Sequence, residues 1–314
     1  MASGYNILIT GGAGYLGSVM VPDFLAEGNK VTVVDNFMFH QNSLAAVCAD
    51  PNFEVVNGDA RSEEILKPLL KKADVVIPLA ALVGAPLCAK DPVGATATNL
   101  DGQLTLLKLL GKDQRVLMPI TNSGYGIGEE DKYCTEESPL RPLSLYGKHK
   151  VEVEKRALER DNTISFRLAT VFGMAPRMRI DLLVNDFVYR AVYDRAVILF
   201  ESHFKRNYIH IRDVSLAFRH ALENFETMKG EPYNVGLSDA NLSKAELCDK
   251  IKEHLPHFMP VEAEIGEDPD KRDYIVSNDK IEATGWRPLH PLDLGIEELV
   301  KGFTMIRNTI YGNI

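Results

Sequence analysis

Short apolar runs alternate with stretches of helical period along the first half of the chain. The runs over residues 6–10, 30–35, 53–57, 73–79, 115–120 and 164–169 read as strands, and 14–27, 93–110 and 146–159 as helices. Apolar runs separated by helices are what a parallel sheet covered on both faces requires. Pro22 falls inside the first helix, where its missing amide donor is expected to bend or loosen it. Past residue 172 the alternation breaks. Residues 174–183 are rich in arginine and methionine, and the remainder mixes short strands with helices such as 244–253. The pattern predicts an α/β protein with a doubly wound parallel sheet over 1–172, completed by late strands returning from the C-terminal part. A smaller mixed substrate domain over 173–314 follows.

Composition narrows the classes of partner. A chain of 314 residues, 45% hydrophobic, suits one large sheet domain with a smaller companion. Its net charge of −9 opposes a nucleic-acid or anionic-membrane partner, while a few local arginines still suffice to hold a phosphate. No apolar run is long enough to span a bilayer, and the first residues lead directly into a strand, leaving no room for a signal peptide. Cys48, Cys88, Cys134 and Cys248 have no metal-ligand spacing and read as reduced thiols. A cytoplasmic enzyme without a metal is expected.

The first strand joins the first helix through Gly11, Gly14 and Gly17, with Ala13, Tyr15 and Leu16 between them. Gly11 permits a tight turn, Gly14 lets backbone amides approach a pyrophosphate, and Gly17 lets the helix pack closely on the sheet. The helix N-terminus adds donors and a favourable dipole. Asp35 ends the second strand, where a carboxylate accepts the ribose hydroxyls of an adenosine and repels the extra phosphate of NADP. No basic residue follows at Asn36 or Phe37, so NAD is the expected cofactor. Asp59, with Ala60 after it, either faces the adenine or sits in a solvent-exposed turn.

Tyr146 and Lys150 lie four apart on a predicted helix and share one face, with Ser144 placed to cap it. A phenol is a weak base at neutral pH unless nearby positive charge favours the phenolate. Thr121 ends the fifth strand, at the crevice where such sheets bind ligands. These three suit a proton shuttle; a capping threonine and a solvated lysine are the plainer alternative.

With these residues in view, the chain resembles the extended short-chain dehydrogenases/reductases, the sugar-nucleotide epimerases and dehydratases. The resemblance rests on Gly11-x-x-Gly14-x-x-Gly17, Asp35, Asp59, Leu79-Ala80-Ala81, Asn99, Thr121, Tyr125-Gly126, Tyr146-x-x-x-Lys150, and Arg167 through Gly173. It implies a Rossmann-type fold, catalysis by Thr121, Tyr146 and Lys150, a cofactor retained through the cycle, and a homodimer built on the helices over 93–110 and 146–159. It also implies that Arg206 and Arg272 hold the diphosphate of a sugar nucleotide and that Asn185 reaches it. Val83, Asn122, Ser123, Arg177 and Arg179 are further substrate candidates, the two arginines meeting phosphate or sugar hydroxyls, or else lying exposed on a loop.

One departure is informative. Dehydratases of this family carry an Asp-Glu pair after the threonine, and decarboxylases a glutamate at the second position; here they are Asn122 and Ser123. Neither is an acid or base near neutral pH. The segments 79–88 and 121–128 are similar to a narrower group of sugar-nucleotide 4-dehydrogenases, and that resemblance implies NAD-dependent oxidation at the fourth carbon of a nucleotide-activated sugar, a GDP-linked hexose or heptose, with a small-molecule hydride acceptor. The alternative is a 4-epimerase, and a distant one is a non-catalytic NAD sensor.

Overall fold

The computed structural model describes residues 4–129, 132–263 and 271–306. Strands β1 (Asn6–Thr10), β2 (Lys30–Asp35), β3 (Phe53–Asn57), β4 (Val75–Pro78) and β5 (Arg115–Thr121) enter one parallel sheet. Two later strands, Thr163–Leu168 and Pro232–Val235, complete it beyond β5. The spatial order from one edge is Pro232–Val235, Thr163–Leu168, β5, β4, β1, β2, β3. Strand order reverses between β1 and β4, which opens a crevice at their carboxyl ends.

Side-chain parity explains how a nearly continuous apolar run serves two faces. In β1, Ile7 and Ile9 join the larger core, while Leu8 joins the smaller one on the opposite face. In β5, Leu117 and its neighbours Val116 and Met118 divide in the same way. The helices Glu63–Leu70, Gly102–Leu109 and Leu145–Ala157 cover the smaller core.

Helix α1 (Gly17–Ala26) contains Pro22. The helix expected over 93–110 forms as a continuous run over 92–109, with a π turn at Ala97–Asp101 between Pro92–Thr96 and Gly102–Leu109. A π turn widens the backbone ring by a residue and is found most often at functional sites. It carries Asn99, whose side chain is fully buried.

The smaller mixed unit contains a three-stranded sheet of Thr170–Phe172, Lys205–His210 and Asn241–Ser243. Around it lie the helices Leu183–Tyr193, Lys244–His254 and Leu292–Phe303. Lys244–His254 starts with a reciprocal cap, Ser243 and Glu246 each accepting the other's backbone amide. The intervening helix Ile211–Glu223 instead faces α1, where Ser215 Oγ donates to Asp23 at 2.6 Å. No described helix is long and apolar enough to cross a membrane.

Candidate active site

A cleft of about 440 Å³ opens at the crevice between β1 and β4. One wall is the glycine turn. Gly11 adopts φ +68°, and a Cβ there would lie 2.6 Å from the Ala80 backbone; a Cβ on Gly17 would lie 2.2 Å from the Gly12 carbonyl oxygen. Beside Gly14, by contrast, the nearest atom would be the Gly11 oxygen at 3.1 Å. Among the described residues nothing accepts from the amides of Tyr15 and Leu16. Unpaired amides at the start of a helix form a ready anion site.

Asp35 closes the far end. Its Oδ2 accepts from the Ala13 amide at 3.0 Å, and its Oδ1 from the Phe37 amide at 2.9 Å and Gln41 Nε2 at 3.2 Å. Burial raises its pKa, and these hydrogen bonds together with the Arg177 charge oppose the rise. An open glycine cradle with a carboxylate one strand away fits an adenine dinucleotide. Asn36, Asp59, Ala60, Leu79, Ala80, Ala81 and Val83 line the same cleft. Asp59 is engaged by Arg61 at 2.6 Å. Gln41 and Phe39 also line it; no spacing rule points to them, since they lie in the irregular loop after β2.

The wild-type protein should bind NAD more tightly than NADP, and Asp35→Ala should weaken NAD binding and relax that preference. Titration calorimetry showing equal or tighter NADP binding by wild-type protein would overturn the assignment.

Tyr146, Lys150, Thr121 and Ser123 meet at the other end. Ser144 Oγ accepts the Gly147 amide at 3.1 Å and so starts the helix Leu145–Ala157 as its sequence predicts. Tyr146 stays partly accessible in the cleft, and among the described residues no group hydrogen-bonds its hydroxyl. Its pKa is pushed up to about 12, chiefly by burial and secondarily by Cys88, with Arg179 and Arg272 acting the other way. Lys150 is buried, its pKa lowered to about 8 by desolvation, and its Nζ donates to the Pro119 carbonyl at 3.0 Å. Arg179 and Arg272 are thus positive charges that favour the phenolate. Lys150 carries its charge below about pH 8 and loses it above.

The Thr121 hydroxyl accepts the Ser123 amide at 3.1 Å and lies 2.9 Å from Ser123 Oγ. Ser123 Oγ also receives Arg272 Nη1. Arg179 forms two bonds to Asp181 and lines the cleft near Tyr146. Arg177 also lines the cleft and lies over the Phe39 ring.

Several expected contact residues are placed elsewhere. Asn99 accepts the Leu82 amide at 2.7 Å and donates to the Leu82 carbonyl at 2.8 Å, and Gln103 donates to the Ala80 carbonyl, so the π turn and the helix after it hold the 80–82 wall. Asn185 accepts the Gly173 amide and donates to Tyr15 Oη and the Arg179 carbonyl. Arg206 lies over the Tyr274 ring with its centroid at 5.8 Å and bonds the Lys205 carbonyl. Asn122 is buried with both polar side-chain atoms unpaired. None of Ala13, Asn99, Asn122, Asn185 and Arg206 lines the cleft. Of the two nearby glutamates with the chemistry to replace a missing acid, Glu129 is exposed and paired with Lys132, and Glu130 lies outside the described residues.

Comparison with known proteins agrees with this geometry. Residues 7–236 match the NAD dependent epimerase/dehydratase family. Among curated proteins, UDP-glucuronic acid decarboxylase 1 of Danio rerio is 26% identical over 95% of this chain and 72% of its own length. Among solved structures, the NAD complex of Thermus thermophilus UDP-glucose 4-epimerase has a TM-score of 0.81 and 25% identity, over 95% of this chain and 99% of that one. DesIV, the dTDP-glucose 4,6-dehydratase of Streptomyces venezuelae, has a TM-score of 0.83 and 26% identity, over 96% and 97% of the two chains.

Proposed function

The chain belongs to the NAD-dependent epimerase/dehydratase family, and from that premise we propose that it is a sugar-nucleotide 4-epimerase with NAD as its cofactor. The observation that supports the reading is one continuous cleft. It joins the glycine turn and Asp35 to Tyr146, Lys150 and Thr121, with no carboxylate following the threonine. The likeness to a solved UDP-glucose 4-epimerase favours this outcome of the C4 chemistry.

NAD, when bound, would supply the hydride acceptor and a further positive charge to the site. Thr121 orients the C4 hydroxyl. Tyr146, drawn toward its phenolate by Arg179 and Arg272, takes the hydroxyl proton as the C–H bond breaks and returns it afterwards. Lys150, braced by the Pro119 carbonyl, holds the cofactor ribose. Arg272 and Arg179 hold the substrate from the side of Tyr146, guanidinium groups being suited to phosphate. Ser123, which lines the cleft, orients a sugar hydroxyl without exchanging its proton.

A second reading is release of the 4-keto sugar nucleotide, with a small molecule reoxidising NADH. The segments 79–88 and 121–128 favour it, being similar to the GDP-manno-heptose 4-dehydrogenase of Campylobacter capsule synthesis; a GDP-linked hexose or heptose would then be the substrate.

Mass spectrometry after incubation with a panel of sugar nucleotides separates the two. An isomer of unchanged mass is the expected product. A product two hydrogens lighter would select the dehydrogenase. Loss of water or carbon dioxide would overturn both, because it requires an acid or base that Asn122 and Ser123 do not provide.

A further inference from the structure

The loop after β2 and the segment after the strand Thr170–Phe172 are far apart in sequence, yet they meet across the Asp35 end of the cleft. The Arg177 guanidinium lies 4.9 Å from the centroid of the Phe39 ring. Both side chains line the cleft; Arg177 is buried and Phe39 half-buried.

Each side of this contact is braced. The Arg177 amide donates to Ser18 Oγ at 3.3 Å, in the first turn of α1. Tyr15, from the glycine turn, donates its hydroxyl to the Gly173 carbonyl at 2.7 Å. On the opposite side, the Phe39 amide donates to Gln41 Oε1 at 3.2 Å, and Gln41 in turn donates to Asp35. Phe37 and His40, flanking this stretch, hold φ values of 50° and 52°. Side chains other than glycine adopt that region only when their surroundings demand it, and such strain gathers at ligand clamps.

We propose that Phe39 and Arg177 form a latch over the Asp35 end of the cleft and set how long the cofactor stays bound. The inference rests on the NAD reading above. A dinucleotide seated against Asp35 leaves only after the guanidinium lifts from the ring. Arginine suits this role because its flat, weakly hydrated cation stacks on an aromatic face, and shielding from water strengthens the contact. Retention serves an epimerase directly, since the hydride taken from a sugar must be returned to that same sugar.

The test measures NADH release from the full chain by fluorescence after mixing with excess NAD. Wild type, Phe39→Ala, Arg177→Ala and the double variant are compared. Each single variant should release NADH about tenfold faster, and the double variant no faster than the quicker single. Release within twofold of wild type in either single variant overturns the latch. So does an acceleration in the double variant equal to the product of the two singles, which marks independent sites. Phe39→Leu fills similar space without a π face and gives the same comparison should Phe39→Ala fail to fold. Wild-type protein that binds no NADH defeats the cofactor reading and the latch together, whereas tight binding with unchanged release in the variants defeats the latch alone.

Discussion

Tyr146→Phe should leave the fold and cofactor binding intact while lowering hydride transfer by about a hundredfold to ten-thousandfold, the usual cost of losing general acid–base catalysis. Only the hydroxyl oxygen is removed, and among the described residues no protein group hydrogen-bonds it, so no structural contact is lost with it. With its pKa near 12 before ligands enter, the phenol is a poor base by itself. Its reactivity therefore depends on positive charge: Arg179, Arg272 and the ring of bound NAD. Single-turnover reduction of NAD, followed by absorbance, is the measurement. A variant that keeps most of the wild-type rate would place the proton shuttle elsewhere and end the assignment.

Glu154→Ala should destabilise the protein by roughly 3–5 kcal/mol, the range for removing one partner of a buried ion pair. Glu154 is 3% exposed and lies on the buried face of the same helix, Leu145–Ala157, that carries Tyr146 and Lys150. It accepts Arg167 Nε and Nη2 at 2.9–3.1 Å, and Ser165 Oγ at 2.7 Å. Arg167 also donates to Tyr125 Oη at 3.1 Å and the Glu136 carbonyl at 2.9 Å, and Tyr125 Oη donates to Asn234 at 2.6 Å. Without Glu154 a guanidinium stays buried without its counter-ion. The double variant Glu154→Leu with Arg167→Met should be more stable than Glu154→Ala, because it removes both charges. Urea denaturation gives both values. A loss below about 1 kcal/mol for Glu154→Ala would mean that water reaches Arg167, and the buried-pair account would fail.

The same network separates what sequence can reveal from what it cannot. Tyr125 and Arg167 are prominent in the family resemblance, but nothing in their spacing links them to Glu154 or Asn234. Arg167, on the strand Thr163–Leu168, pairs with Glu154 on the helix of Tyr146 and so ties the two elements together.

Local features were legible because they depend on a few adjacent torsions. The strands β1, β2 and β3 follow from runs of apolar residues, and the glycine turn from a close approach that any Cβ would block. The i, i+4 spacing of Tyr146 and Lys150 places both on one helical face without reference to the rest of the chain. The identity of the residues at 122 and 123 excludes an acid there whatever the fold. Tertiary structure alone decided which distant groups meet. Arg177 and Arg179 differ by two positions, yet one lies over the Phe39 ring and the other pairs with Asp181. Asn99 and Asn185 have the chemistry of ligand contacts, but their amides are taken up by backbone groups of neighbouring loops. Arg206 lies behind the cleft residue Tyr274, over its ring, while Arg272 lines the cleft and reaches Ser123. Periodicity encodes the face a side chain occupies on its own element. The partner it finds there depends on how separate elements pack, and a polar side chain bonds to whichever unsatisfied group that packing brings within reach.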